Sequence, residues 1–239
     1  MLSKQVEAAV EGLNTDFVFT YKDLNLPSNM SANVIRKLNR MVEAGIITKL
    51  SKGRYYKPRQ TVFGTLKPSQ EEIVKDLLKK DGKTVGYLTG YSIFNQLGLT
   101  TQISNIIEIG TNVRRNKMRR GNYEIRFMLQ LNPIRPSDIP LLQYLDAIRA
   151  IKNIPNASPS NSYQRLKTIM SNIDEKSVRR MITLAQNYSP MARALTGAML
   201  ESVFGSAISE PLYKTLNPVT YYKVGLDNIT PELYKWRIL

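Results

Sequence analysis

The sequence predicts an α+β protein: an N-terminal winged helix-turn-helix, then a mixed α/β domain with a helical C-terminal region. Three observations predict it. Thr20 to Pro58 reads as a helix, a tight turn, a second helix and a small β-hairpin. Thr84 to Gln130 holds β-prone segments parted by turn residues. From Ser137 onward apolar residues recur at helical spacing between good capping residues. The expected division is residues 1–62 for the first domain and 63–239 for the second, with a small sheet over 84–130 and helices over 137–239.

The first element is a leading helix over Ser3 to Leu13, with Val6, Ala9, Val10 and Leu13 as its apolar stripe. Phe17-Val18-Phe19 is extended; it reads equally as an added strand or as an apolar loop. Thr20 is a good N-cap and Asp23 completes an acidic capping arrangement. Pro27 then stops the helix, because it disfavours helix at Leu26 and lacks a donor. Either Ser28 or Ser31 caps the next helix.

That second helix carries the argument. Val34, Ile35, Leu38, Met41 and Val42 share one face, and Asn33, Arg36, Lys37 and Arg40 share the other. Gly45 ends it as a C′ glycine. Ile46 to Leu50 is a β-prone run, Ser51-Lys52-Gly53 a turn, and Arg54 to Lys57 a returning strand.

Most charged helix faces are merely solvated. Here the distribution of charge speaks for a polyanion. Asn33 to Arg59 holds Arg36, Lys37, Arg40, Lys49, Lys52, Arg54, Lys57 and Arg59 against one acid, Glu43. The first thirty residues hold only Lys4 and Lys22 against Glu7, Glu11, Asp16 and Asp23. The expected double-stranded DNA contacts are Asn33, Arg36, Lys37, Arg40, Lys49, Lys52, Arg54 and Lys57, with Asn33 and Arg36 as the base-reading candidates. The whole chain, with 34 Lys and Arg against 19 Asp and Glu, carries a formal charge of +15.

Arg59 to Lys67 reads as a connector and the seam between domains. A helix follows over Ser69 to Lys80, with Ile73, Val74, Leu77 and Leu78 on its buried face and Asp81-Gly82 as its stop. Thr84 to Leu88 is a short strand, Thr89 the cap of a helix ending at Gly98, Asn105 to Thr111 a strand, Asn112 to Gly121 a basic connector, and Asn122 to Gln130 a half-buried strand. Helices then follow from Pro136, over Ser162 to Met170, Glu175 to Tyr188 and Met191 to Phe204, with Asp174 and Ser189 as caps and Pro190 at a first position. Tyr213 to Leu239 is largely loop.

The composition limits the chemistry. There is no Cys and no His, which excludes disulfides, thiolate or imidazole metal ligands and any triad with a His base. Asp81-Gly82-Lys83-Thr84 ends like a phosphate-binding loop, but the position five before Gly82 is Leu77 rather than glycine. The carboxylates show no cluster in sequence, so no catalytic residue, metal site or cofactor is expected. Arg114, Arg115, Lys117, Arg119 and Arg120 form a second basic cluster, read equally as an exposed turn or as a phosphate or partner contact. Lys176, Arg179 and Arg180 make a weaker patch. No apolar run approaches bilayer length and the N-terminus lacks a signal-peptide core, so no membrane partner and a cytoplasmic location are expected.

Several stretches resemble one family in their order. Lys52-Gly53-Arg54-Tyr55-Tyr56-Lys57-Pro58 precedes Gly86-Tyr87-Leu88-Thr89-Gly90-Tyr91-Ser92 and Leu97-Gly98-Leu99-Thr100-Thr101-Gln102. Arg193-Ala194-Leu195-Thr196-Gly197-Ala198-Met199-Leu200-Glu201 and Leu216 to Gly225 follow. This series resembles the AbiEi-type antitoxins of type IV toxin–antitoxin systems, which act in abortive infection. The resemblance implies a winged helix that represses its own promoter at inverted repeats. It also implies a C-terminal domain that counteracts a nucleotidyltransferase toxin without a stable complex; the second basic cluster is the candidate for that antitoxic activity. The alternative is a winged-helix transcription regulator whose C-terminal domain binds a ligand or dimerises.

Overall fold

The computed structural model describes residues 2–62 and 64–239 and is α+β. Its contacts divide it into two units, Met1–Asp76 with Met118–Tyr123, and Leu77–Lys117 with Glu124–Leu239. The first unit therefore extends past residue 62 and takes back a later segment. The seam falls inside a helix rather than in the expected connector.

The first unit begins with α1 (Leu2–Glu11), which buries Val6 and Val10. β1 (Val18–Phe19) pairs antiparallel with β3 (Arg54–Tyr56), and β2 (Thr48–Ser51) pairs with β3 on its other side. The extended reading of Val18 and Phe19 is thus the right one. Thr20 and Asp23 form the expected capping box, with the Thr20 N–H donating to Asp23 Oδ2 at 2.6 Å. What they cap is a single 3-10 turn, Tyr21–Leu24, because Asn25 adopts φ 52 and Pro27 follows within two residues. A second 3-10 turn, Ser28–Met30, leads into α2 (Ser31–Glu43). The N-cap of α2 is Met30 and no side chain caps it, so neither serine is the cap; the Ser28 side chain itself lies outside what is described.

α2 ends as its sequence dictates. Gly45 takes φ +72, its N–H donates to Val42 O at 3.0 Å, and the Ile46 N–H donates to Met41 O at 3.0 Å. This pair of bonds satisfies carbonyls that the helix end leaves open. Val34, Leu38 and Met41 are buried and join Val6, Val10, Phe19, Leu24, Ile47 and Tyr55 in one core. Arg59–Thr61 and Gly64–Leu66 form a two-stranded hairpin, β4 and β5, where a plain connector was expected; Phe63 lies outside the described residues. α3 (Gln70–Leu78) follows, opened by Ser69 Oγ accepting from the Glu72 N–H.

α3 stops at Leu78 because the next residues pair. β6 (Lys79–Lys80) and β7 (Lys83–Thr84) are joined by Asp81 at φ 50 and Gly82 at φ 74. Two left-handed residues make the tight turn whose twist matches a hairpin. Asp-Gly is therefore a strand turn here and not a helix stop.

In the second unit, β8 (Gly86–Thr89) pairs antiparallel with β9 (Ile106–Thr111), and α4 (Tyr91–Gln96) lies between them in sequence. The N-cap of α4 is Gly90, not Thr89, whose hydroxyl is used elsewhere. The chain then makes β10 (Met118–Arg120), inside the stretch expected to be a connector, and β11 (Tyr123–Leu129). β11 runs parallel to β9, from Glu124 opposite Ile106 to Leu129 opposite Thr111. Parallel pairing forces the chain back to its starting edge. Asn112 to Asn122 is that return. Of the apolar alternation in β11 only Ile125 is fully buried.

The helical region holds a 3-10 turn at Pro136–Asp138 and then α5 (Ile139–Arg149), α6 (Pro159–Met170), α7 (Glu175–Ala185), α8 (Pro190–Phe204), α9 (Ser206–Tyr213) and α10 (Pro231–Lys235). Asp174 and Ser189 cap α7 and α8, and Pro190 sits in the first turn. α8 is buried along most of its length, from Ala194 to Leu200. The large core of this unit gathers around it, with Leu142, Leu145, Ile148, Leu166, Met181 and Trp236. Among the described residues, no helix is long and apolar enough to cross a membrane.

Candidate nucleic-acid interface

The eight polar residues expected to meet DNA separate into two groups. Asn33, Arg36 and Arg40 are exposed on α2, and Lys49 and Lys52 are exposed on β2 and its turn. None of these five makes an ion pair with a described residue. The other three are engaged inside the unit. Lys37 is half-buried and pairs with Glu7 of α1. Arg54 donates to Asp76 Oδ2 at 2.9 Å, and Lys57 donates to the Glu11 carbonyl at 3.1 Å. Sequence spacing placed Lys37 on the basic stripe; it did not show that α1 supplies an acid beside it.

Two further acids of the unit are matched in the same way. Arg59 pairs with Asp16 at 2.8 Å and Lys75 with Glu72 at 3.0 Å. These pairings engage Lys37, Arg54, Arg59 and Lys75 and leave Arg36, Arg40, Lys49 and Lys52 without an ion pair among the described residues. The Tyr55 hydroxyl donates to Asn39 Oδ1 at 3.2 Å, which ties β3 to α2.

Arg120 corrects the reading of the second cluster as five exposed cations. It is 2% exposed, and its guanidinium donates to the Ile73 carbonyl at 2.7 Å and grips both oxygens of Asp76, Nη2 at 2.7 Å. Burial works against the Asp76 carboxylate, but Arg120 and Arg54 outweigh it and hold its pKa below the usual carboxylate value. Asp76 thus joins α3, β3 and β10. Arg114, Arg115, Lys117 and Arg119 stay exposed. The weaker patch is partly neutralised, Arg179 by Glu175 and Arg180 by a two-pronged contact to Asp138 at 2.9 and 2.6 Å.

Asp76→Ala leaves the buried Arg120 without its counter-charge. A penalty of about 2 kcal/mol is expected, below the ~3–5 kcal/mol for a fully buried pair because Asp76 is itself partly in water. The pH dependence has a definite sign. A carboxyl depressed by folding stabilises fully above its unfolded pKa, about 4, and that contribution is lost as pH falls through the lower folded value. Urea melts of wild type and Asp76→Ala should therefore converge on acidification; a constant gap down to pH 2 contradicts the assignment.

A carboxylate cluster went unseen in the sequence. Asp146 of α5 is 3% exposed and accepts from the hydroxyls of Tyr87 at 2.7 Å, Thr89 at 2.9 Å and Tyr188 at 3.0 Å. Gln130 donates to both tyrosine oxygens, at 2.8 and 2.9 Å. Burial raises the Asp146 pKa, against the pull of Arg149 and the three hydroxyls. Burial also raises that of Glu108, with the Asp146 charge adding a little. Glu108 folds over Gly90, where a Cβ would lie 1.6 Å from its Oε2, and accepts the Tyr91 N–H. The stretch Gly86 to Ser92 is therefore a joint: Tyr87 and Thr89 hold α5, and Gly90 leaves room for Glu108. The available signal was Asp146 itself, four residues after Leu142 on the buried stripe.

With this geometry in hand, the chain belongs to the family of unknown function DUF6088, whose model matches residues 5–178. It is also similar in fold to the RV2827C protein from Mycobacterium tuberculosis, whose crystal structure superposes with a TM-score of 0.63 at 12% identity, over 99% of this chain and 89% of that one. No curated protein matches the sequence.

Proposed function

We propose that the first unit is a winged helix-turn-helix that binds double-stranded DNA, with α2 as the recognition helix and the β2–β3 turn as the wing. The observation that carries this is the surface of Asn33, Arg36, Arg40, Lys49 and Lys52, all exposed and without an ion pair to a described residue, beside Lys37, Arg54 and Arg59, which are paired. A helix carrying Asn and Arg at i, i+3 and i+7 presents the side chains that suit adenine and guanine edges, and wing lysines suit phosphate. Lys37, Arg54 and Lys57 instead brace the helix and wing.

In this reading the protein is a cytoplasmic repressor of its own promoter. Following its resemblance to AbiEi-type antitoxins, the second unit counteracts a nucleotidyltransferase toxin, with no catalytic step of its own. Asp146 supports the non-catalytic role, since it is buried and held by three hydroxyls; Glu108 is half-buried and accepts the Tyr91 N–H. A second reading, a regulator whose C-terminal unit takes a ligand, is favoured by a cleft described below.

Arg36→Ala with Arg40→Ala should weaken binding to the native promoter fragment by roughly 1–3 kcal/mol per base-reading side chain and blur sequence preference. Lys52→Ala should weaken all duplexes alike and flatten the salt slope. Lys37→Ala should lower stability more than specificity. Anisotropy titrations at two salt concentrations separate these; parental affinity in the double variant would falsify the placement. Co-expression with a neighbouring nucleotidyltransferase tests the antitoxin half, and unrelieved toxicity with a folded protein favours the second reading.

A further inference from the structure

We propose that the cleft between the Val113–Asn116 loop and the end of β11 binds a nucleoside phosphate, its base against Phe127 and Arg115 and its phosphate on Arg114 and Arg115. The cleft is open, measures about 340 Å³, and is lined by Val113, Arg114, Arg115, Asn116, Phe127 and Leu129. Ligand clefts begin at about 300 Å³, a size suited to one nucleotide and not to a duplex.

The fold builds this cleft from the parallel pairing. Ile125, Phe127 and Leu129 share one face of β11, and only Ile125 is fully buried. Leu129 lies opposite Thr111, so the chain leaving β9 runs out beside the exposed end of that face. The exit is fastened: the Asn112 side-chain amide donates to the Gln130 carbonyl at 2.6 Å and to the Asn132 carbonyl at 2.7 Å. Arg114 and Arg115 are thus presented from a pinned base.

Neither arginine makes an ion pair with a described residue. The Arg115 guanidinium lies 5.6 Å from the centre of the Phe127 ring. Two uncompensated guanidiniums provide planar phosphate donors, and a ring with a stacked guanidinium provides a flat surface for a base. An anion site alone would not need the apolar wall of Phe127 and Leu129. The inference rests neither on DNA binding by the first unit nor on the antitoxin reading.

The test uses the full chain. Calorimetric titrations with ATP, CTP, inorganic phosphate and single-stranded RNA and DNA octamers compare wild type with Arg115→Gln, Arg114→Gln, Phe127→Leu and Phe127→Tyr. Nucleotides should bind at least about tenfold more tightly than phosphate, given what a stacked base contributes. Phe127→Leu should lose about tenfold toward nucleotides and nothing toward phosphate, Phe127→Tyr should retain binding, and each Arg→Gln variant should weaken both ligands. Tighter binding of octamers assigns the source to single-stranded nucleic acid; equal binding assigns it to free nucleotides. The proposal is overturned if nucleotides bind no better than phosphate, or if Phe127→Leu binds nucleotides like wild type while its melting temperature matches. Loss of binding in a folded Phe127→Tyr protein also overturns it. Promoter binding, measured on the same variants, should not change.

Discussion

Asp146→Ala is expected to destabilise the second unit by about 4 kcal/mol, because it removes an acceptor shared by three buried hydroxyls, of which that of Tyr188 keeps a second acceptor, the Leu142 carbonyl at 3.3 Å. Each unpaired buried polar group costs roughly 1–3 kcal/mol. The residues affected come from separate elements: Tyr87 and Thr89 from β8, and Tyr188 from the turn between α7 and α8. Gln130 bonds to both tyrosines, so the network fails as a unit rather than one bond at a time. Asp146→Asn keeps the shape and one acceptor and should cost much less.

The two variants also report the charge. Burial raises the Asp146 pKa, so the folded state holds its proton more tightly than the unfolded chain does. The stability tied to that proton is complete below the unfolded value, about 4, and is lost as pH rises through the folded value. Wild type should therefore lose ground to Asp146→Asn as pH rises above about 4. Chemical melts at several pH values test this. A small, pH-independent cost for Asp146→Ala would remove the network from the core.

Gly197→Ala is the second large effect, with an expected loss of roughly 3–5 kcal/mol. A methyl group at Gly197 would stand 2.1 Å from the ring of Trp236, which is fully buried. Alanine is the better helix former by roughly 0.5–1 kcal/mol, but the ring has no free space to move into. Displacing it forfeits the burial of a whole aromatic side chain, which is the cost seen for Trp truncation. The slot has a second fastening: Trp236 Nε1 donates to Glu201 Oε2 at 2.8 Å, and Lys235 pairs with the same carboxylate. The Tyr213 ring meets Trp236 edge-on at 5.2 Å. Gly197→Ala and Trp236→Ala should consequently show similar melting temperatures and should not add when combined. If the double variant falls by the sum of the two, the glycine acts elsewhere. The stretch Arg193 to Glu201, which helped carry the family resemblance, thus includes the seat of the C-terminal tail.

Local signals determined most of the elements. Apolar spacing placed α2 and α5 to α8 but not α9 or α10; Asp174, Ser189 and Pro190 marked the starts of α7 and α8, and Gly45 marked an end. Each depends on residues within one or two turns, so the sequence alone suffices. The same locality limited it. Thr20 and Asp23 announce a cap but not how few residues follow. Asp81-Gly82 suits both a helix stop and a hairpin, and the pairing of Lys79 with Thr84 decided between them. The uncompensated face of α2 was legible as a row of cations, since a stripe follows from helical period. Which cations stay free was not. Glu7 reaches Lys37 across 30 positions, and Asp76 reaches Arg120 across 44. Asp146 meets Tyr87 across 59. Pairings over such separations leave no periodic trace, because they depend on which elements pack together; that choice is made by burial of apolar surface over the whole unit, and only the tertiary structure records it.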